Sequence, residues 1–252
     1  MPEKAGRTRI LVGVEGVEES ARTNDIIIVV DVLRASSTIV TALANGALSI
    51  LPTLTVKQAR ATARSMPDSI LGGERKGLRI PKFELGNSPL EYTTQAVKGR
   101  KIVFTTTNCT RVLERCKELP SVTKVYIGAF LNAAAIAKKV RMLLQESERR
   151  VTIVQAGTGG RSSLDDLVCA EFIEEIIEAS GEVKLTPNLG AIISSISYAV
   201  LSNTKHGRYL ASIGFESDVK YCSQLSIFDV TPRLQSGGGM AAIIEESAQR
   251  KN

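Results

Sequence analysis

The amino-acid sequence predicts an α/β protein with three layers, in which a largely parallel sheet carries helices on both faces (α/β/α). Two observations lead to this prediction. Apolar, β-branched runs recur along the chain, and most of them are followed by residues with helical periodicity. Such alternation is typical of parallel sheets, because a helix returns the chain to the edge where the next strand begins.

The predicted strands are short runs rich in Ile, Val and Leu. They are Ile10–Val14, Ile26–Asp31, Leu48–Leu51, Lys101–Thr105, Val122–Ile127 and Val151–Gln155. A helix is predicted over residues 131–145, where Leu131, Ile136 and Val140 fall on one stripe. We predict a single compact domain over residues 1–252, and the sequence leaves a division into two lobes open.

The segment from Gly72 to Leu90 interrupts the alternation. It contains four glycines, two prolines and charges of both signs, with little periodicity. A loop of this length is uncommon in a compact domain unless it is functional or disordered. Because Leu78, Ile80 and Phe83 could anchor it, we predict an ordered functional loop.

Composition narrows the possible partners. The chain has 32 Lys and Arg against 26 Asp and Glu, so an anionic partner is expected. Nucleic acid is not, because the basic residues are dispersed and only 4% of residues are aromatic. No apolar run approaches the ~18 residues of a membrane span, and the cysteines form no CxxC pair. We expect a cytoplasmic protein without a membrane segment, and leave a homo-oligomer open.

Three predicted strand ends carry small polar residues and an arginine, a pattern typical of an anion site. Ligands of open parallel sheets bind beyond the carboxyl ends of the strands, where helix N-termini present free N–H groups. The candidate binding residues at these ends are Ser36 and Ser37, then Thr106, Asn108 and Arg111, then Gly159, Gly160, Arg161 and Ser162. Together these ends could form a pocket for a polyanion.

Each strand end also has a purely structural interpretation. Ser and Thr are common N-caps, and glycines can simply make tight turns. Asp31 is harder to explain in this way, because a carboxylate at the end of a buried strand is costly unless it is paired or binds a metal. An ion pair between Asp31 and Arg34 is the structural alternative. The glycines at 157–160 match only part of a dinucleotide-binding fingerprint, so no such cofactor is expected.

Five longer motifs occur in order between about Asp25 and Cys169. They read VDVLRASSTIVTALANGA, GGERKGLRIPKFELGNSPLEY, TTTNCTR, IGAFLNAAAIA and AGTGGRSSLDDLVCA, and KHGRYL at Lys205–Leu210 continues the pattern more weakly. Together they resemble the 2-phosphosulfolactate phosphatase family of coenzyme M biosynthesis. The resemblance implies a three-layer α/β/α fold and the magnesium-dependent hydrolysis of (2R)-2-O-phospho-3-sulfolactate to (2R)-3-sulfolactate and phosphate.

The chain departs from the family pattern at two positions. Cys109 stands where Gly is expected, and Lys205 precedes His206 where Pro is usual. A residue larger than Gly at position 109 could crowd the second strand end.

A substrate of this kind carries a phosphate, a carboxylate and a sulfonate, which guanidinium groups can hold by charge-assisted bonds. The candidate arginines are Arg34, Arg75, Arg79, Arg111 and Arg161. Because phosphate-monoester hydrolysis has a very high uncatalysed barrier, a hard divalent cation is expected, namely Mg²⁺. We predict Asp31 as its first ligand, with Glu74 and Asp166 as further ligands.

The predicted catalytic residues are Asp31, Arg34 and Asp165. The group that protonates the leaving alkoxide stays open among Asp165, Glu74 and His206. Neither a Cys-x₅-Arg loop nor an Asp-x-Asp motif follows the strand ends, so we predict direct attack by metal-activated water, with phosphorylation of Asp31 as the alternative. A phosphatase of another 2-phospho-hydroxy acid and a non-catalytic anion-binding protein also remain alternatives.

Overall fold

The computed structural model describes residues 7–179, 185–237 and 240–246. The strands are β1 Thr8–Val12, β2 Ile26–Val30, β3 Ser49–Pro52, β4 Ser69–Arg75, β5 Leu78–Arg79, β6 Lys101–Thr105, β7 Val125–Gly128, β8 Val151–Gln155, β9 Pro232–Gly237 and β10 Met240–Glu245. The helices are α1 Gly13–Arg22, α2 Ala35–Ala44, α3 Val56–Arg64, α4 Thr94–Val97, α5 Cys109–Glu118, α6 Ala133–Gln145, α7 Leu164–Glu178, α8 Pro187–Asn203, α9 Lys205–Ser212 and α10 Glu216–Cys222. Of the helices in these ranges, none is long and apolar enough to cross a bilayer.

Strand β2 shows why the molecule has three layers. All five of its residues are buried. Ile27 and Val29 pack in one core cluster with residues of α2 and α5. Ile26, Ile28 and Val30 pack in a second cluster with residues of α6 and α7. Because successive side chains of a strand point to opposite faces, an unbroken apolar strand needs helices on both, which confirms the predicted α/β/α layers.

The described strands form one mixed sheet in the order β1-β8-β2-β7-β9-β10-β3-β6-β4-β5. The pairings within β1-β8-β2-β7 and within β3-β6-β4 are parallel. Strands β9 and β10 pair with each other and join the two groups through antiparallel contacts on both sides. The successive reversals make β3, β6 and β4 run opposite to β1, β8, β2 and β7. The sheet is thus largely parallel within two groups, rather than across its whole width.

Several predicted boundaries shift in the structure. The first strand ends at Val12 instead of Val14, because Gly13, with φ +67°, already begins α1. The predicted strand Val122–Ile127 begins only at Val125. The predicted helix over 131–145 is α6, preceded by a short 3₁₀ helix at Phe130–Asn132.

The segment from Gly72 to Leu90 contains a hairpin rather than one long loop. Strand β4 continues to Arg75 and pairs with β5 across a two-residue turn. The turn residues Lys76 and Gly77 have φ values of +52° and +73°, as a type I′ hairpin turn requires. Ile80 and Phe83 are buried in a small core cluster with residues of α3, as expected, whereas Leu78, the other predicted anchor, is exposed.

Candidate active site

Segments after several strands border one cavity of about 600 Å³. Its lining comes from the residues after β2, β6 and β8, from the β4–β5 turn, and from the first turns of α7 and α9. A cavity of this volume lies in the range typical of small-molecule sites, about 300–1,000 Å³. The two groups of parallel strands therefore direct their carboxyl ends to a shared space, although they run in opposite directions.

Asp31 is buried in the wall of this cavity, directly after β2. Its Oδ1 accepts a hydrogen bond from the backbone N–H of Ala35 at 3.3 Å. Burial raises the pKa of Asp31 to about 6; the nearby charge of His206 opposes this shift, whereas those of Glu74 and Asp165 add to it. Several acidic groups thus face the same space and repel one another.

His206 and Asp165 form a pair in the cavity. The Nδ1 atom of His206 lies 3.4 Å from the Oδ2 atom of Asp165. Burial alone would lower the pKa of His206, but the hydrogen bond and charge of Asp165, together with the charge of Asp31, raise it above 6.5. Because Nδ1 faces Asp165, the Nε2 atom is the ring nitrogen left to act on a ligand.

Arg34 is held by a buried ion pair, though not with the expected partner. Its Nη1 lies 2.6 Å from the Oδ2 atom of Asp218, and both side chains are almost fully buried. The hydroxyl of Ser88 donates to the other oxygen of Asp218 at 2.7 Å. The guanidinium also donates to the carbonyl of Gly77 and stacks on Phe215, 4.1 Å from the ring centroid. The alternative of a structural Asp31–Arg34 pair is therefore wrong. Because Arg34 also lines the cavity, the N–H groups of its guanidinium that make no bond to the protein can bind a ligand there.

Glu74 organises the β4–β5 turn against the segment after β6. One carboxylate oxygen accepts from the backbone N–H and the hydroxyl of Thr107, at 2.7 and 2.9 Å. The other accepts from the backbone N–H of Gly77 at 2.9 Å. Glu74 lines the cavity and holds these two segments together.

The segment after β6 contributes Thr106, Thr107 and Asn108 to the cavity. Thr106 and Thr110 exchange backbone-to-hydroxyl hydrogen bonds at 3.3 Å, which begins α5. Cys109 is completely buried in the core and does not line the cavity, so the larger residue does not crowd this strand end.

The segment after β8 contributes Thr158, Arg161 and Ser162 to the cavity. Thr158 and Arg161 pair through reciprocal backbone hydrogen bonds of 2.9 and 3.2 Å, which close a tight turn. Gly159 and Gly160 form its exposed tip with φ values of +59° and +78° and are not part of the cavity wall. Their role is to make the turn, so the structure does not support the predicted ligand contacts.

Two predicted serines also lie away from the cavity. Ser36 and Ser37 are fully buried. The Oγ atom of Ser36 accepts from the backbone N–H of Asp31 at 3.2 Å, and that of Ser37 donates to the carbonyl of Val32 at 2.8 Å. Both lie in the first turn of α2, whose N-cap is Arg34, so they are not N-caps, but a structural role still describes them better than substrate binding.

Three predicted arginines do not reach the cavity either. Arg75 donates to the carbonyls of Glu74 and Leu54 and to the hydroxyl of Thr105. Arg79 is exposed and donates to the carbonyl of Glu84 at 3.2 Å. Arg111 is exposed on α5. In each case the strand or helix turns the side chain away from the ligand space.

Asp166 is not placed as a metal ligand. It is buried, and its two oxygens accept from the backbone N–H groups of Val32 and Gly157, each at 2.9 Å. It therefore connects the segments after β2 and β8 from behind the cavity wall. Within the described ranges, no group of three or more His, Cys, Asp or Glu side chains could hold a metal ion, so the predicted trio of Asp31, Glu74 and Asp166 does not form.

Several residues that line the cavity were missed. They are Leu33, Lys76, Gly77, Asn87, Thr107, Thr158, Ser163, Leu164, Thr204, Lys205 and Tyr209. The motif KHGRYL was a usable signal for the last of these, since it contains Lys205 and Tyr209 beside the only histidine. Asp218 had no such signal, because nothing in the sequence links it to Arg34.

Comparison with known proteins identifies the family. The sequence model described as 2-phosphosulpholactate phosphatase matches residues 12–237. The chain belongs to the 2-phosphosulfolactate phosphatase family. All residues that line the cavity fall within the matched region, which confirms the resemblance seen in the motifs and extends it to β9.

Individual members of the 2-phosphosulfolactate phosphatase family match over nearly their whole length. A protein of Symbiobacterium thermophilum, named a probable 2-phosphosulfolactate phosphatase, is 38% identical over 236 residues, which cover 90% of this chain and 97% of that protein. A protein of the same name from Clostridium beijerinckii is 35% identical over 236 residues, covering 90% and 96%. Another from Clostridium perfringens is 33% identical over 237 residues, covering 90% and 93%.

Proposed function

We propose that this protein is a magnesium-dependent phosphatase that hydrolyses (2R)-2-O-phospho-3-sulfolactate to (2R)-3-sulfolactate and phosphate. Family membership supports the phosphatase activity. The structural observation that carries the proposal is the buried carboxylate of Asp31 beside the His206–Asp165 pair in one cavity. A hydrolytic site needs such a combination of an anionic group and a protonated acid, whereas simple anion binding needs neither.

The charged residues around the cavity fall into a buried group and an exposed group. Asp31, Asp165 and Arg34 are buried, whereas Lys76, Arg161 and Lys205 are exposed at its rim. A substrate whose phosphate enters the buried part would leave its other acidic groups among the rim cations. This arrangement favours a phosphate ester that carries additional anions.

The oxygen-rich wall fits a hard divalent cation. Asp31, Glu74 and Asp165 all line the cavity, and the charges of the other two raise the pKa of Asp31, so a cation there would relieve their repulsion. Asp31 would hold Mg²⁺ with Glu74, since this ion usually takes one or two carboxylates and keeps several waters. When bound, Mg²⁺ would neutralise phosphoryl oxygens and lower the pKa of a bound water.

The protein's own residues account for the remaining needs of the reaction. Arg34, whose guanidinium is held in position by the ion pair with Asp218, stabilises negative charge on the phosphoryl oxygens. Water attacks phosphorus, the bond from phosphorus to the C2 oxygen breaks, and His206 donates a proton from Nε2 to the departing alkoxide. One proton of the water stays on the phosphate, and the other leaves to solvent, from which His206 is reprotonated. Asp165 holds the imidazole in the orientation and charge state that this transfer requires. Of the three candidates for the acid, the geometry favours His206.

Phosphate release from purified protein tests this proposal. With phosphosulfolactate and Mg²⁺ we expect release of inorganic phosphate that stops when the metal is chelated, and transfer of one ¹⁸O atom from labelled water to phosphate. The alternative substrates are tested by measuring phosphate release from 2-phospholactate, 2-phosphoglycerate and phosphoglycolate. Release from one of these but not from phosphosulfolactate would identify a phosphatase of another 2-phospho acid. No release from any of them would favour an anion-binding protein.

A further inference from the structure

We propose that Lys76, at the tip of the β4–β5 hairpin, is the specificity residue that recognises the sulfonate of the substrate. This inference rests on the proposed function and adds to it a residue for one particular group. Lys76 lines the cavity from the rim, and its ammonium group has no partner among the residues that the structure describes.

The backbone around Lys76 is held on every side. The hydroxyl of Tyr209 on α9 donates to the carbonyl of Lys76 at 2.9 Å. The next residue, Gly77, donates its N–H to Glu74 at 2.9 Å and accepts from Arg34. The turn, which belongs to the group of strands β3, β6 and β4, thus contacts elements packed on the group β1, β8, β2 and β7. Each of these hydrogen bonds uses backbone atoms of the turn. The Lys76 side chain takes no part in holding it.

The conformation of Lys76 is unfavourable for a lysine. Its φ is +52°, in the left-handed region where Gly and Asn are more easily accommodated. A type I′ turn of this length usually has Asn or Gly at the first position. Strained residues concentrate at functional sites, so the combination of this backbone conformation with a place in the cavity lining makes Lys76 a candidate for ligand binding.

The shape of the anionic groups assigns the sulfonate to Lys76 rather than to Arg161. A carboxylate is planar and matches the planar fork of a guanidinium in a two-point contact. A sulfonate is a tetrahedral group with three equivalent oxygens, which suits the compact charge and rotating donors of an ammonium. The phosphate is directed to the buried acids and Arg34, where the reaction must occur. Among the rim cations, Arg161 therefore suits the carboxylate and a lysine the sulfonate. Of the two rim lysines, Lys76 and Lys205, only Lys76 has a left-handed backbone conformation, and on that ground the sulfonate is assigned to Lys76.

Lys82 provides a matched control in the same segment. It is also an exposed lysine with positive φ, +66°, but it does not line the cavity. Replacing either lysine by Asn should relieve backbone strain and raise the melting temperature by about 2 °C. Only the change at Lys76 should also alter catalysis.

The experiment measures kcat and KM with two substrates that differ only in the sulfonate, (2R)-phosphosulfolactate and (S)-2-phospholactate, which have the same arrangement about C2. For Lys76→Asn we expect kcat/KM with phosphosulfolactate to fall by about 10- to 100-fold, mainly through KM, as loss of one charge-assisted contact implies. With 2-phospholactate the same variant should stay within about twofold of wild type, because only the long-range attraction to the rim is weakened. Lys76→Arg keeps the charge but replaces the ammonium, so it should lose part of the preference and less than Lys76→Asn, and Lys82→Asn should change neither substrate.

The outcomes separate this inference from the proposed function. If wild type releases no phosphate from phosphosulfolactate, the proposed function is wrong and the inference falls with it. If wild type is active but Lys76→Asn loses the same factor on both substrates, or on neither, the phosphatase stands and the assignment of Lys76 to the sulfonate is overturned. The same holds if wild type does not prefer phosphosulfolactate to 2-phospholactate.

Discussion

Asp31 is the residue on which the proposed chemistry depends most. Asn has the same shape and keeps an oxygen that can accept from the Ala35 N–H, but it carries no charge. Because the buried carboxylate has a pKa raised to about 6, removing its charge should not destabilise the protein at neutral pH. We therefore expect Asp31→Asn to abolish turnover and to have a melting temperature equal to or higher than that of wild type. Full activity in this variant would show that Asp31 is structural.

The pair of His206 and Asp165 should be visible in the pH dependence of kcat/KM. If the active form has His206 protonated, activity falls as the pH rises through the pKa of His206, which the hydrogen bond and charge of Asp165 hold above its usual value. Asp165→Asn removes the charge that raises this pKa. We expect the descending limb of the profile to move to lower pH in that variant.

His206→Gln serves as the control for this interpretation. It should lower kcat by about 100-fold or more and remove the descending limb, because the proton donor is gone. A limb that persists in His206→Gln would assign the acid to another residue.

At the scale of single elements, Asp166 holds two segments rather than a metal. Asp166→Ala leaves the buried N–H groups of Val32 and Gly157 without their acceptor. We expect the free energy of unfolding, measured with urea, to fall by about 2–4 kcal/mol, since each buried unpaired donor costs about 1–3 kcal/mol. Mn²⁺ affinity, measured calorimetrically on the folded variant, should be unchanged. A large loss of metal affinity with little loss of stability would restore Asp166 as a ligand.

The elements that were predicted well are those with the strongest physical signal. Strands β2, β6 and β8 lie between neighbours and are buried almost throughout, so each reads as an apolar run. Strand β5 was missed because both of its residues, Leu78 and Arg79, are exposed. Its turn was detectable only through Lys76–Gly77, a dipeptide less typical of hairpins than Asn-Gly.

The candidate site was predicted in part for a related reason. Asp31, Thr106 and Arg161 were correctly predicted at the cavity because each follows a strand, and the carboxyl end of a strand determines where the next residues lie. It did not determine where longer side chains point. Arg75 and Arg111 have the right charge near the right edge, yet both are directed elsewhere.

At the scale of the whole molecule, charge should influence how fast substrate is captured. The chain carries a formal net charge of +6, and three cations are exposed at the cavity rim. Attraction between exposed charges weakens with salt, since the screening length falls from about 10 Å at 0.1 M to about 3 Å at 1 M. We expect kcat/KM for phosphosulfolactate to fall steeply with added sodium chloride while kcat stays nearly constant. A salt-independent KM would contradict a role for the rim cations.

The β9–β10 hairpin is also the last part of the sheet to be synthesised. Every strand of the two parallel groups precedes residue 232 in the chain, whereas the contacts that join the groups come from residues 232–245. A nascent chain still lacking this hairpin can build each group, but it cannot yet complete the sheet between them. Catalytic competence should therefore arise late on the ribosome, only after the final β-ribbon has emerged and joined the two groups of strands.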